Sequence, residues 1–414
     1  MLENSAQPLV NVWKERLVCG LVFLFPIAGV SLHHWFSAIF SILFLISLWD
    51  LFRVKGSVPL FREERIWLWL CAAFFGSYLL SSTVNGWGEL QVKHLGVDVR
   101  FLAVVPLYLM LRRYQNVEQW FLAGVALAAV VLAGQAYYEA AMLGKPRAEG
   151  AYSPNLLGPV AALVAMWLLA CWRRFGRLRW LLPLLVPAAL YAVAMSGSRG
   201  AYVGLVVMAL VWVAMYIRGW WRAPVLMLVL IIPVSAYHFI PSVKHRVDDA
   251  VANVDVYIIH VEEGKHGAPG SAIRFEMWRA AWMVFKESPI LGVGPWDYQE
   301  AVKQHVGEKG LPELVAEHGH AHNAFINTLA SRGLVGFTIF MGMLFYPLYY
   351  FIKKRRRAPQ TAILGVLHVV GFAVFSLTDA STFIMGNFVA IFLLGMTLFL
   401  SRQVATVHAQ EETQ

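Results

Sequence analysis

The densest polar cluster in the sequence is Glu317-His318-Gly319-His320-Ala321-His322-Asn323, where three histidines recur at alternate positions. His322 stands where a polar segment gives way to an apolar one. An imidazole placed there, with an ordinary pKa near 6.5, can accept a proton from a hydroxyl or orient it. Asn323 and His320 flank it and could contact the same substrate. Alternate residues of an extended segment point the same way, so the three imidazoles also admit a zinc reading. Catalytic zinc, however, needs three protein ligands and a supporting shell, and no H-E-x-x-H pattern accompanies the cluster. A surface histidine at a helix N-terminus is the plainer alternative.

Arginines are the second chemical resource. Arg199 lies in Ser196-Gly197-Ser198-Arg199-Gly200, between two apolar runs, where an arginine is costly unless it meets an anion or snorkels to headgroups. Its small neighbours leave room for a ligand. The segment is not G-x-S-x-G, so it offers no serine nucleophile of that kind. Arg274 and Arg279 occur with Trp278 in RFEMWRAAWMVFKE, and Lys93, Arg100 and Arg147 stand in other short polar stretches. A guanidinium fork suits the oxygens of a phosphate, which makes a pyrophosphate-bearing lipid the natural ligand, with headgroup contact as the alternative for any one of them.

These residues need a scaffold, and composition indicates its kind. With 59% hydrophobic and 14% charged residues and a mean hydropathy of +0.59, the chain is far more apolar than a soluble domain. Spans of about 20 apolar residues cross a bilayer as helices. Twelve are expected, near 16–32, 36–52, 66–83, 99–111, 119–141, 155–172, 179–195, 200–217, 223–240, 333–352, 361–378 and 383–401. The fold class is therefore an all-α polytopic membrane protein of about twelve transmembrane helices. Residues 1–240 form an N-terminal bundle of nine spans, 241–321 a large polar loop, and 322–414 a C-terminal bundle of three spans with a short tail. Within the loop, Phe275, Trp278, Trp282 and Phe285 recur at helical spacing before Pro289, Gly292 and Gly294, so 274–287 reads as an amphipathic helix lying at the membrane surface.

The net charge of +9 is explained by topology rather than by nucleic acid. Alternate inter-span segments carry most of the Lys and Arg, including Arg53, Lys55, Arg62 and Arg65, the quartet Arg173, Arg174, Arg177 and Arg179, and the run 353–357. The other set holds only Lys93, Arg100, Lys145, Arg147 and Arg199 outside the large loop. The positive-inside rule then puts both termini in the cytoplasm and the large loop outside. The first apolar run is followed by no small-residue cleavage site, so no cleaved signal peptide is expected. Cys19, Cys71 and Cys171 fall inside apolar runs and read as buried thiols.

No Walker A loop, dinucleotide fingerprint or D-x-D pair appears in an outer segment. A transferase here would need a donor already activated and lipid-borne. At this point the chain resembles a known family. His322-Asn323, nine residues, then Gly333-x-x-Gly336 is similar to the H-[NSQ]-x9-G-x-x-G pattern of the O-antigen ligases and their relatives, the O-antigen polymerases and bacterial O-oligosaccharyltransferases. R-F-E-M-W-R-A-A-W followed by P-I-L-G-V-G resembles the family's loop helix, and S-G-S-R-G its membrane-boundary arginine. The chain ends soon after its twelfth span, which favours the ligase branch.

The resemblance implies lipopolysaccharide biosynthesis at the bacterial inner membrane, with a periplasmic active site. A glycan would pass from undecaprenyl pyrophosphate to a sugar hydroxyl of the lipid A core, with inversion and without metal or other cofactor. His322, Arg199 and Arg274 would be the catalytic residues. Arg147, Lys93, Arg100, Arg279, Asn323, His320 and Trp278 would bind substrates. A lipid-linked glycan transporter or flippase would share the composition, but should show several ionisable residues at mid-membrane depth or paired broken helices.

Overall fold

The computed structural model describes residues 12–53, 59–239, 241–263, 270–306 and 311–413; Lys55, counted above among the basic residues, lies outside them. Among the described residues the chain is helical, with no strand beyond one isolated bridge, Val306 to Leu311. The first nine helices are α1 (Val12–Ser31), α2 (Trp35–Arg53), α3 (Arg62–Asn85), α4 (Glu89–Leu111), α5 (Val117–Tyr137), α6 (Pro154–Ala170), α7 (Leu182–Ser196), α8 (Arg199–Tyr216) and α9 (Arg222–Phe239). The large loop holds α10 (Pro241–Glu262), α11 (Ile273–Glu287), α12 (Tyr298–Lys303) and α13 (Glu313–Ala316). The chain closes with α14 (Ala324–Lys353), α15 (Pro359–Thr378), α16 (Ser381–Ile384) and α17 (Gly386–Glu412). Each of the twelve expected spans falls on one of these helices; among the described residues ten segments are long and apolar enough to cross a membrane, α1 and the 17-residue α6 not being among them. The three cysteines are buried and free.

Several boundaries differ from the sequence expectation, for a common reason. α4 begins at Glu89 rather than 99 and α14 at Ala324 rather than 333, because polar residues in their first turns are met by tertiary partners. Gln91 donates to Pro295 O at 3.2 Å, and Asn327 Oδ1 accepts from Ala321 N at 3.1 Å. Asp98 and Arg332 pair with each other while buried, and Arg332 also donates to Phe74 O at 3.1 Å and lies 4.3 Å over the Phe74 ring. Charge inside a membrane protein survives when it is paired in this way. The loop helix expected over 274–287 is α11. The 22-residue helix α10 was not foreseen, since its apolar positions, Val243, Val247, Val251 and Ile258, are diluted by charge.

The G-x-x-G element is a structural joint. Gly333 (φ 61°, ψ −166°) breaks α14, and its conformation is open only to glycine. The break would leave amides and carbonyls bare, which is tolerated at membrane depth only where other protein groups supply partners. Residues 289–294 supply them. Leu334 N donates to Pro289 O at 2.8 Å and Val335 N to Ile290 O at 3.1 Å, while Val293 N and Gly294 N donate to Ala330 O and Ser331 O, each at 3.1 Å. Ser81 Oγ, donating to Leu291 O at 2.7 Å, and Asn85 Nδ2, donating to Gly292 O at 3.1 Å, fasten the same loop to α3. The P-I-L-G-V-G segment thereby ties α11 to α14.

α17 and α15 form the middle of the bundle, with 89% and 72% of their most apolar stretches buried, whereas none of that of α9 is buried, which makes that helix peripheral. At one end the basic segments meet acidic partners: Arg112 with Glu64 (3.0 Å), Arg174 with Glu118 (2.7 Å), Arg113 with Asp50 (3.4 Å) and Arg357 with Glu411 (2.6 Å). All of these segments were assigned to one side by the alternation of spans. Of the segments assigned to the other side, those around Arg147, Arg199 and Asp379 and the large loop converge on a cavity at the opposite end.

Candidate active site

His322 is held by the start of α14. Asn323 is its N-cap, the side chain accepting from Phe325 N (3.0 Å) and Ile326 N (3.2 Å), and this satisfies two of the amides that every helix start leaves bare. The turn into that cap puts His322 at φ 48°, a left-handed conformation uncommon for a non-glycine residue. Its Nδ1 then lies 3.7 Å from Asp379 Oδ1. That is an ion-pair distance, too long for a hydrogen bond, and Nδ1 is buried without a hydrogen-bond partner.

Asp379 terminates α15 and is fixed from its other sides. Oδ1 accepts from Ser381 N at 2.9 Å and Ser381 Oγ at 2.7 Å, and Oδ2 accepts from Asn155 Nδ2 at 3.5 Å. Burial opposes the charge, but the adjacent His322 and the two Ser381 hydrogen bonds outweigh it and hold the carboxyl well below the usual carboxylate range. Asp379 is thus an anion aimed at one nitrogen of His322. His320 packs 4.2 Å from the His322 ring and accepts from His322 N at 3.2 Å; burial, reinforced by the His322 charge, pushes its imidazole down to about 4.

The cavity beside this pair measures about 630 Å³ and is lined by four arginines, Arg147, Arg199, Arg246 and Arg274, against two carboxylates, Asp249 and Asp379. Arg147 is steadied by Ser196 O (2.8 Å) and Asn155 Oδ1 (3.3 Å), and Arg246 donates to Gly197 O at 2.6 Å. Arg199 and Arg274 make no ion pair among the described residues. Burial disfavours the charge on Arg274, an effect the nearby Asp379 partly offsets. Such a surplus of positive charge in a partly buried hollow calls for an anionic ligand.

The small residues around Arg199 serve packing more than ligand access. A Cβ on Gly200 would stand 2.3 Å from Thr378 Oγ1, so that glycine lets α8 approach the end of α15. Gly197 (φ 57°) lies against the Arg246 guanidinium in a left-handed conformation that an L side chain would strain.

Of the residues singled out from the sequence, the structure brings His322, Arg199, Arg274 and Arg147 to this cavity. Lys93, Arg100, Arg279, Asn323, His320 and Trp278 do not line it. Arg279 pairs with Glu276 at 2.8 Å, Trp278 Nε1 donates to Ala321 O at 3.1 Å, and Asn323 is occupied by capping. Lys93 is exposed on α4, and Arg100 lies against Gly386. Sequence reasoning missed Asp379, Arg246, Asp249 and Asn155. One signal was available: Asp379 is the only acidic residue between Glu317 and Glu411. It also alters the metal reading, since His320, His322 and Asp379 present ligand atoms within 4.8 Å of one another, a set with the donor chemistry for a cation.

Residues 184–341 match the family model described as O-antigen ligase, the span that contains Arg199, α10, α11, His322 and the G-x-x-G joint. A curated relative, an uncharacterized protein of Haemophilus influenzae, is 24% identical over 339 residues, which is 79% of this chain and 84% of that one.

Proposed function

We propose that this chain, a polytopic membrane protein whose residues 184–341 carry the O-antigen ligase domain and whose activity is accordingly of the ligase or polymerase type, transfers a glycan from undecaprenyl pyrophosphate to a sugar hydroxyl of the lipid A core. The observation that carries this reading is the convergence of a carboxylate-backed imidazole and four arginines on one cavity. The donor pyrophosphate sits among Arg199, Arg274, Arg147 and Arg246. The acceptor hydroxyl meets His322 Nε2, because Nδ1 is turned to Asp379.

As the acceptor oxygen bonds to the anomeric carbon, its proton passes to Nε2. The bond to the phosphate oxygen breaks, and its electron pair leaves with undecaprenyl pyrophosphate. Asp379 balances the imidazolium that forms, and the guanidinium groups stabilise the departing charge. Single displacement inverts the anomeric centre. The sorting of basic residues supports cytoplasmic termini and a periplasmic cavity in the inner membrane.

The test is reconstitution of the purified chain with undecaprenyl-pyrophosphate-linked glycan and core lipopolysaccharide, with and without EDTA. A ladder of extended lipopolysaccharide in both supports a metal-independent ligase. Glycan lengthened on its carrier assigns a polymerase, and activity lost in EDTA assigns a cation to the His320, His322 and Asp379 cluster. Removing one guanidinium, as in Arg274→Ala, should cost about 1.5–3 kcal/mol of transition-state binding, roughly 10- to 150-fold in kcat/KM.

A further inference from the structure

The opposite end of the bundle carries a second hollow. Trp172, Trp180, Val186, Trp212 and Tyr216, with the exposed Arg179, line a groove of about 740 Å³ between α6, the 3-10 segment Trp172–Leu181, α7 and α8. Its innermost lining residues, Pro187 on α7 and Trp212 on α8, stand about 14–20 Å along the helix axes from the turn that carries Arg199. It is therefore independent of the catalytic cavity. Its walls are almost wholly apolar, and no acidic side chain lines it.

Two cations border the groove with their hydrogen-bonding capacity unspent. The Arg173 guanidinium lies 5.5 Å from the Trp172 ring centroid and 5.6 Å from that of Tyr216, and Arg179 lies 5.3 Å from Trp180. Stacking on aromatic faces fixes the guanidinium planes. Among the described residues neither side chain makes a hydrogen bond or ion pair, whereas the adjacent Arg174 is engaged by Glu118, Gln360 and Thr361. Exposed Trp180, Trp220 and Trp221 gather at the same end, as tryptophans do at a membrane–water interface.

We propose that this groove is a binding site for one acidic glycerophospholipid, its phosphate between Arg173 and Arg179 and one acyl chain laid along α7 and α8. An acyl chain gains little by moving from bilayer into an apolar groove, because both surroundings are hydrocarbon. Selection must therefore come from the phosphate. A zwitterionic lipid brings its own ammonium to that phosphate, while an acidic lipid leaves it for the guanidinium groups.

The experiment uses the full chain in nanodiscs of mixed phosphatidylglycerol and phosphatidylcholine, with retained lipids counted by native mass spectrometry after extraction. The expected result is preferential retention of phosphatidylglycerol, reduced about tenfold in Arg173→Gln/Arg179→Gln and unchanged in Arg177→Gln/Arg218→Gln, which removes equal charge at the same end but outside the groove. Val186→Trp, which fills the groove and leaves every charge in place, should also release the lipid. Equal loss in the two arginine pairs would reduce the effect to general surface charge and overturn the site, as would equal retention of both lipids or full retention by Val186→Trp.

Discussion

Replacing Gly333 with alanine tests whether the G-x-x-G element is a joint between the loop and the membrane bundle. The backbone conformation alone costs an L residue about 1–3 kcal/mol. The added Cβ would stand 2.3 Å from the carbonyl carbon and oxygen of Ile290 and 2.5 Å from Leu291 N. These are backbone atoms and cannot rotate away, so overpacking adds about 1–3 kcal/mol. The chain can escape by lifting residues 289–294 from the break, which gives up the hydrogen bonds to Leu334, Val335, Ala330 and Ser331 at about 1 kcal/mol each. Both routes come to about 4 kcal/mol. The expected local opening accelerates amide exchange at Leu334 and Val335 by roughly 10²- to 10³-fold and lowers glycan transfer, because Arg274 on α11 is no longer held in register with His322, just ahead of α14. Gly342→Ala is the control: its Cβ meets only the flexible end of Leu70, at 3.0 Å. The measurement is hydrogen exchange by mass spectrometry across 289–294 and 330–336, with thermal unfolding in the same detergent. Wild-type exchange and melting in Gly333→Ala would refute the joint.

Three further outcomes are expected. His322→Ala should lower kcat by about 10²- to 10⁴-fold with normal membrane insertion, and Asp379→Asn by a smaller factor with a shifted acid limb of the pH–rate profile; an unchanged profile in Asp379→Asn would remove it from the site. Glu139, buried after α5, accepts from Glu149 N at 2.6 Å and Gly150 N at 3.2 Å and so holds the loop that carries Arg147; Glu139→Ala should raise the donor KM more than it lowers kcat, and the opposite split would argue against a positioning role. His320 is depressed from 6.5 to about 4, so the unfolded state takes its proton first as pH falls. Its contribution, on the order of 3 kcal/mol at most, is fully present above about pH 6.5 and lost on descending to about pH 4, and acid-unfolding curves of the wild type and His320→Gln should converge over that window.

The cavity's cationic members were partly visible in the linear sequence because scarcity marked them. Arg147 and Arg199 are among the few basic residues on the side where spans leave little positive charge, and His322 opens the last polar-to-apolar transition of the large loop. Arg246 and Asp249 were hidden inside a helix whose charge obscured its periodicity. Lys93, Arg100 and Arg279 carried the same sign on the same side, yet they do not reach the cavity, since charge and sidedness say nothing about which loops converge.

What the sequence determined by itself is the membrane class and the places of the apolar spans, because both depend on hydropathy counted along the chain. Only the tertiary structure decided that Asp379 backs His322, that Asp98 neutralises Arg332, and that residues 289–294 fill the break at Gly333. These pairs lie 57, 234 and about 40 residues apart in the chain. Their meeting depends on which helices pack side by side, and the hydrophobic pattern leaves that open because every span presents lipid-compatible faces all round.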